Sequence, residues 1–263
     1  MEDAADLLAH VRPLIERHGT ALQRASFFNR LGGHESRRRR YAPSAVALDY
    51  ARAALAALPS SAAPVVRSSY QFGLGFNLLW LGDYAEAEGV LRDVLAMAEE
   101  SGDVSLQVRC LAYLMVVHRR QGRVAEAEAA ARRCLAIADA VGMLTYVGAS
   151  RAGLAWAAWQ RNDLAETERR ARQALAAWQK YGGLYPLHWQ ALWPLIGVAL
   201  AQGRIADAIP HARTLCAPDQ QALPVALVEP LAAALAAWDA GRPDEAREKL
   251  QNAVDLAQQM KYS

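Results

Sequence analysis

Gly82-Asp83-Tyr84-Ala85-Glu86-Ala87 decides how this chain is read, because the same short pattern returns four more times. The copies are Gly122-Arg123-Val124-Ala125-Glu126-Ala127, Asn162-Asp163-Leu164-Ala165-Glu166-Thr167, Gly203-Arg204-Ile205-Ala206-Asp207-Ala208 and Gly241-Arg242-Pro243-Asp244-Glu245-Ala246. The anchors stand 40, 40, 41 and 38 residues apart, and Gly102, Gly142 and Gly182 repeat the spacing of 40. Two interleaved ladders with one period mark a tandem repeat. A glycine or asparagine just past a helix can take the left-handed conformation that ends it. The acidic residues that follow suit the partly positive start of the next helix. Each anchor is therefore a tight turn between two antiparallel helices, and each glycine of the second set joins one pair to the next.

The flanking residues agree. Ala87, Leu91, Val94, Leu95 and Ala98 recur at three and four residues, as do Val124, Ala127, Ala131, Cys134, Leu135 and Ala138. That rhythm lines one helix face. The pattern predicts helices over 62–81, 84–100, 104–121, 124–140, 144–161, 164–180, 186–202, 205–216, 222–240 and 243–260. Three more precede them, over 3–17, 20–38 and 41–58. The expected organisation is one array over 1–263, with divergent helices in 1–60 and five helix-pair repeats in 61–263.

Composition narrows the function. Alanine-rich sequence with 8% aromatic residues favours helix. A formal net charge of +2 gives no reason to expect nucleic acid. No apolar stretch reaches the roughly 20 residues that cross a bilayer, and the acidic start, Met1 to Asp6, lacks the order of a signal peptide. A cytoplasmic setting follows as the expectation. Arginine outnumbers lysine 26 to 3, as a GC-rich bacterial genome would give. Cys110, Cys134 and Cys216 form neither a disulfide framework nor a zinc pattern and read as small buried hydrophobes. The six histidines show no metal-ligand spacing, and no nucleophile or phosphate-loop motif is present. No enzyme activity, metal or cofactor is expected. Arg37 to Arg40 is the densest charge run and reads as a solvated helix end.

Trp80-Leu81-Gly82-Asp83-Tyr84-Ala85-Glu86-Ala87 resembles the turn within a tetratricopeptide repeat, including the small residue that recurs as Ala87, Ala127, Ala208 and Ala246, with Thr167 the departure. The family's other small residue stands only at Gly75, with Met115, Ala155, Ile196 and Ala234 in the other copies. The period of 40 exceeds the family's usual 34. Long variants of this kind resemble the C-terminal sensor arrays of maltose-regulator-like activators and of ATPase or cyclase signalling proteins of bacteria. The resemblance implies an all-α superhelix of tandem helix pairs whose first helices line a concave groove. It also implies a non-catalytic module for protein interaction or ligand sensing, within a bacterial signalling or transcription-regulatory protein.

Counting from each anchor places Phe72, Phe76 and Trp80, then Arg109, Arg119 and Arg120, then Trp156 and Trp159, then Trp193, then Trp238 on that groove. These ten are the candidate ligand-binding residues. Aromatic side chains and arginine dominate binding energy at interfaces. The expected partner is a protein or peptide segment, or a small anionic or aromatic ligand, with the arginines taking a carboxylate or phosphate. On this reading Trp156, Trp159 and Arg119 face an open surface. The competing reading buries the rings between neighbouring repeats. A different class of function, a scaffold or self-associating domain forming a homo-oligomer, fits the same pattern.

Overall fold

The structure, a computed structural model, describes residues 2–183 and 185–262. Met1 and Ser263, the ends of the expected array, and Leu184 lie outside the described residues. Those residues form thirteen helices and no strand. In order they are α1 (Glu2–His18), α2 (Ala21–Arg38), α3 (Ala45–Ala57), α4 (Pro64–Leu81), α5 (Tyr84–Ser101), α6 (Val104–Arg120) and α7 (Val124–Ala140). Then come α8 (Leu144–Gln160), α9 (Leu164–Tyr181), α10 (Trp189–Ala201), α11 (Ile205–Leu215), α12 (Val225–Asp239) and α13 (Pro243–Gln259). None is long and apolar enough to cross a membrane. The chain divides into two compact units, residues 1–113 and 114–263, with the boundary inside α6.

The all-α tandem pairs are as the repeat implies, and the anchors act as turns. Gly82, Gly122, Asn162, Gly203 and Gly241 all take a positive φ, Asn162 at 58°. Each small residue that follows (Ala87, Ala127, Thr167, Ala208, Ala246) is fully buried. Proline sets three of the helix starts that differ from expectation, those of α3, α4 and α12. α3 begins at Ala45 rather than 41, because the residue before Pro43 is held out of helical conformation and Ser44 caps the helix by accepting from the Ala47 N–H at 3.2 Å. Pro64 opens α4, and Pro224 stands at the start of α12.

In the first unit, successive helices α1 to α5 pack each on the next. Thr20 and Gln23 form a reciprocal cap at the start of α2. Gly75 lies so close to α5 that a Cβ there would meet Leu91 Cγ at 2.9 Å, which is why this small position matters. The basic run behaves as a helix end, with Arg38 Nη2 on Glu35 at 2.8 Å.

In the second unit, carboxylates one repeat apart tie successive pairs together. Glu128 meets Arg132 on its own helix and Arg161 beyond α8, both at 2.5 Å. Glu168 meets Arg172 at 2.7 Å and Arg204 at 2.8 Å. Burial works to raise the Glu128 carboxyl, but hydrogen bonds from Arg132 and Arg161 outweigh it and hold it low. Partly solvated pairs of this kind contribute below about 1 kcal/mol each, so they fix register more than they stabilise.

The last pair departs from the regular stack. α10 packs on α8, α9, α11 and α13. In a strictly repeating array the first helix of the next pair, α12, would hold the place that α13 takes. The connection 216–224 is long enough to redirect the chain, and it is tied back to the loop before α10. Gln221 N–H donates to Pro186 O at 2.8 Å, and Gln220 Oε1 accepts from His188 N–H at 3.1 Å. The second helix after that detour, α13, returns to the inner helix α10.

Candidate functional site

Arg119 and Arg120 close the last turn of α6, where cations suit the partly negative helix end. Arg119 is not the exposed charge the open groove required: it is 1% exposed, and Arg120 is 7% exposed. Arg119 Nη1 donates to Gln190 O at 2.9 Å. The reason lies in the sequence of α10. The residue four beyond Gln190 is Pro194, which has no N–H, so this carbonyl loses its helical partner and the guanidinium takes the place.

The rest of the Arg119–Arg120 pair faces the segment that follows α13. Arg119 Nη2 donates to Tyr262 O at 2.6 Å, and Arg120 Nη1 to Lys261 O at 3.4 Å. The Arg120 guanidinium lies 3.4 Å from the centre of the Tyr262 ring and 5.0 Å from that of Trp189. Arg119 sits 4.8 Å from the Trp189 ring and 5.6 Å from that of Trp156. Tyr262 and Trp189 meet at 5.3 Å, tilted by 58°. Helices α6, α8 and α10 thus each supply part of one wall, and Tyr262 fills the space between.

Neither arginine forms an ion pair with a described carboxylate. Burial, and then the neighbouring Arg120 charge, push the Arg119 guanidinium well below its ordinary value. Several buried polar atoms in the same unit also lack partners among the described residues: Arg119 Nε, Trp156 Nε1, Trp189 Nε1, Trp193 Nε1 and Gln190 Oε1. Four of these five are donors. Orphaned buried donors are rare and costly, and among the described residues no acceptor reaches these four.

The other predicted residues fall in different settings. Trp156 and Trp193 are buried, at 2% and 0% exposure, and do not line an open surface. Trp156 packs against Ala127 and Val124 of the neighbouring helix α7, and α13 packs on α10, which carries Trp193. Trp159 is half-buried, its ring against the backbone of Gly197, where a Cβ would meet it at 2.5 Å. Trp238 is half-buried on α12. Phe72, Phe76, Trp80 and Arg109 gather in the first unit around Phe76, which lies 5.8 Å from Trp80, 6.4 Å from Phe72, 5.0 Å from Tyr113 and 6.2 Å from Tyr41. Arg109 covers the Phe72 ring at 4.0 Å.

Sequence reasoning missed Trp189, Tyr262, Tyr41 and Tyr113. Trp189 carried a usable signal, since it stands one helical turn before Trp193. Tyr262 carried none, because it lies beyond the last repeat. Burial pushes the Cys110 and Cys134 thiols up to about 12 and about 11, so neither is poised as a nucleophile. Cys216 is exposed just past α11 rather than buried, because α11 ends one residue before it.

Two tetratricopeptide repeat family models match the chain, over residues 67–140 and 153–222. The chain belongs to the tetratricopeptide repeat family. No curated protein matches it. Among solved structures, this repeat protein is similar to a Rap protein complexed with Competence and Sporulation Factor, at 14% identity and a TM-score of 0.72, covering 98% of this chain and 69% of that one. It is also similar to the apo form of RapI, at 12% identity and a TM-score of 0.60, covering 98% and 82%. A third likeness is to aspartyl phosphate phosphatase F from Bacillus subtilis, at 15% identity and a TM-score of 0.64, covering 95% of this chain and 64% of that one. At these identities the likeness shows the fold alone. None of the three is a maltose-regulator-like activator, so that narrower likeness rests on the sequence pattern.

Proposed function

We propose that this repeat protein is a non-catalytic module that binds a peptide segment of a partner at the face built by the end of α6, by Trp156 and by the start of α10. One observation carries the reading: Arg119 and Arg120 each donate to a main-chain carbonyl of successive residues, Tyr262 and Lys261. Main-chain carbonyls are common to every peptide, so this contact grips a backbone. The neighbouring Trp189 and Arg120 faces then select an aromatic side chain. Peptide segments docked on a preformed face are a recurrent mode of recognition. The fold's likeness to a Rap protein complexed with Competence and Sporulation Factor is in keeping with a bacterial signalling context.

The test is selection from a library of random peptides displayed with free carboxyl ends, followed by fluorescence polarisation of the enriched peptides. Arg120→Gln should weaken them by at least about tenfold, since truncating a desolvated charged contact is costly. The reading fails if no peptide is enriched, or if the enriched peptides bind the folded Arg120→Gln protein as tightly as the parent.

A further inference from the structure

We propose that Lys261–Tyr262 is an internal occupant of the Arg119–Arg120 site, and that the partner displacing it is a peptide carrying a carboxylate beside an aromatic residue. This rests on the peptide-binding reading and adds both its regulation and its ligand class.

The docked segment satisfies the site incompletely. It supplies only neutral carbonyls to two buried guanidiniums that have no described carboxylate beside them. Arg119 Nε and the indole N–H groups of Trp156 and Trp189 have no acceptor among the described residues. A carboxylate offers two oxygens with about four lone-pair sites and binds a guanidinium through paired hydrogen bonds. Placed where Tyr262 O now lies, it would add the missing negative charge. An adjacent aromatic ring would keep the stacking on Arg120 and Trp189 that Tyr262 now makes.

The turn that delivers Tyr262 puts a long side chain where the other left-handed turns of this unit have glycine or asparagine. Lys261 holds φ at 59°, while Gly122, Gly142, Gly182, Gly203 and Gly241 or Asn162 occupy the corresponding left-handed positions. Lys261 N–H donates to Gln258 O at 3.0 Å, and Tyr262 N–H reaches back to Ala257 O at 2.7 Å, the two bonds of a helix-ending left-handed turn. A residue with a Cβ is disfavoured there, and only glycine adopts it freely. The docked conformation therefore carries a built-in bias toward release. Release is what a displaceable occupant needs, because the apparent affinity of a partner scales with the fraction of sites left open.

The experiment titrates the full chain by calorimetry with acetyl-Lys-Tyr bearing a free carboxylate, and with the same peptide as its amide. Circular dichroism first establishes that each variant is folded. Tyr262→Ala should bind the acid about tenfold more tightly than the wild type, because the internal competitor loses its ring. Lys261→Gly and Lys261→Ala both remove the lysine charge and differ only in the cost of the turn. Lys261→Gly should bind the acid several-fold more weakly than Lys261→Ala, since glycine favours the docked state. The acid should bind every folded protein at least about tenfold more tightly than the amide. Equal affinity of wild type, Tyr262→Ala and both Lys261 variants would overturn internal competition while leaving peptide binding intact. Equal binding of acid and amide, or binding of neither, would overturn the ligand class, and the library selection above would still judge peptide binding separately.

Discussion

The aromatic cluster of the first unit and the arginine site of the second draw on the same residue types, yet they are resolved in opposite ways. Around Phe76 the rings pack on one another: Phe72, Trp80, Tyr113 and Tyr41 meet it at centroid distances of 5.0 to 6.4 Å, and the Trp80 indole N–H, like those of the second unit, has no partner among the described residues. The single cation there, Arg109, is half-buried over Phe72 and keeps access to water. Around Trp189 two guanidiniums are buried with no described carboxylate, and a short segment beyond the last helix supplies their acceptors. Ring packing against ring packing needs no partner. Buried cations short of negative charge are a standing electrostatic cost, and the proposed partner would offset it.

Trp193→Ala should cause the largest loss. Its side chain is fully buried on α10, so truncation should cost about 3–5 kcal/mol through lost burial and an unfilled cavity. Urea denaturation measures this, and a loss under about 1 kcal/mol would restore the open groove that the sequence suggested.

The next contrast sets the two arginine environments against each other. Arg109→Met should cost about 0.5–1 kcal/mol, the worth of one partly solvated cation–π contact. Arg119→Met should cost more, about 1–3 kcal/mol, because the Gln190 carbonyl loses its substitute donor. In a Pro194→Ala background that cost should shrink, since residue 194 then offers the N–H that α10 otherwise lacks. A double-mutant cycle with no coupling would sever Arg119 from the proline.

Much of the fold was legible because its signals are local. The turn at Gly82-Asp83 and its copies, the buried small residue five places on, and the prolines at 64 and 243 each specify a helix boundary within a few residues. Proline also accounts for the misplaced starts of α3 and α12. The site was less legible because it is built by contacts distant in sequence. Counting from the anchors found Arg119, Arg120, Trp156 and Trp193, yet nothing local says that α13 packs on α10. That arrangement follows from the long connection 216–224 and its bonds to Pro186 and His188. Tyr262, the residue that completes the site, follows the last helix and belongs to no repeat.

The central claim is that Tyr262 occupies a site made for a partner, and the ring itself can report it. The protein would carry a fluorotyrosine at Tyr262 and be followed by fluorine NMR while acetyl-Lys-Tyr acid is added. The account predicts a resonance displaced from that of an unfolded-chain tyrosine, since the ring lies against Arg120 and Trp189. It predicts that this signal moves to the free position in step with peptide binding. A peptide that binds to saturation while the Tyr262 resonance stays in place would contradict it.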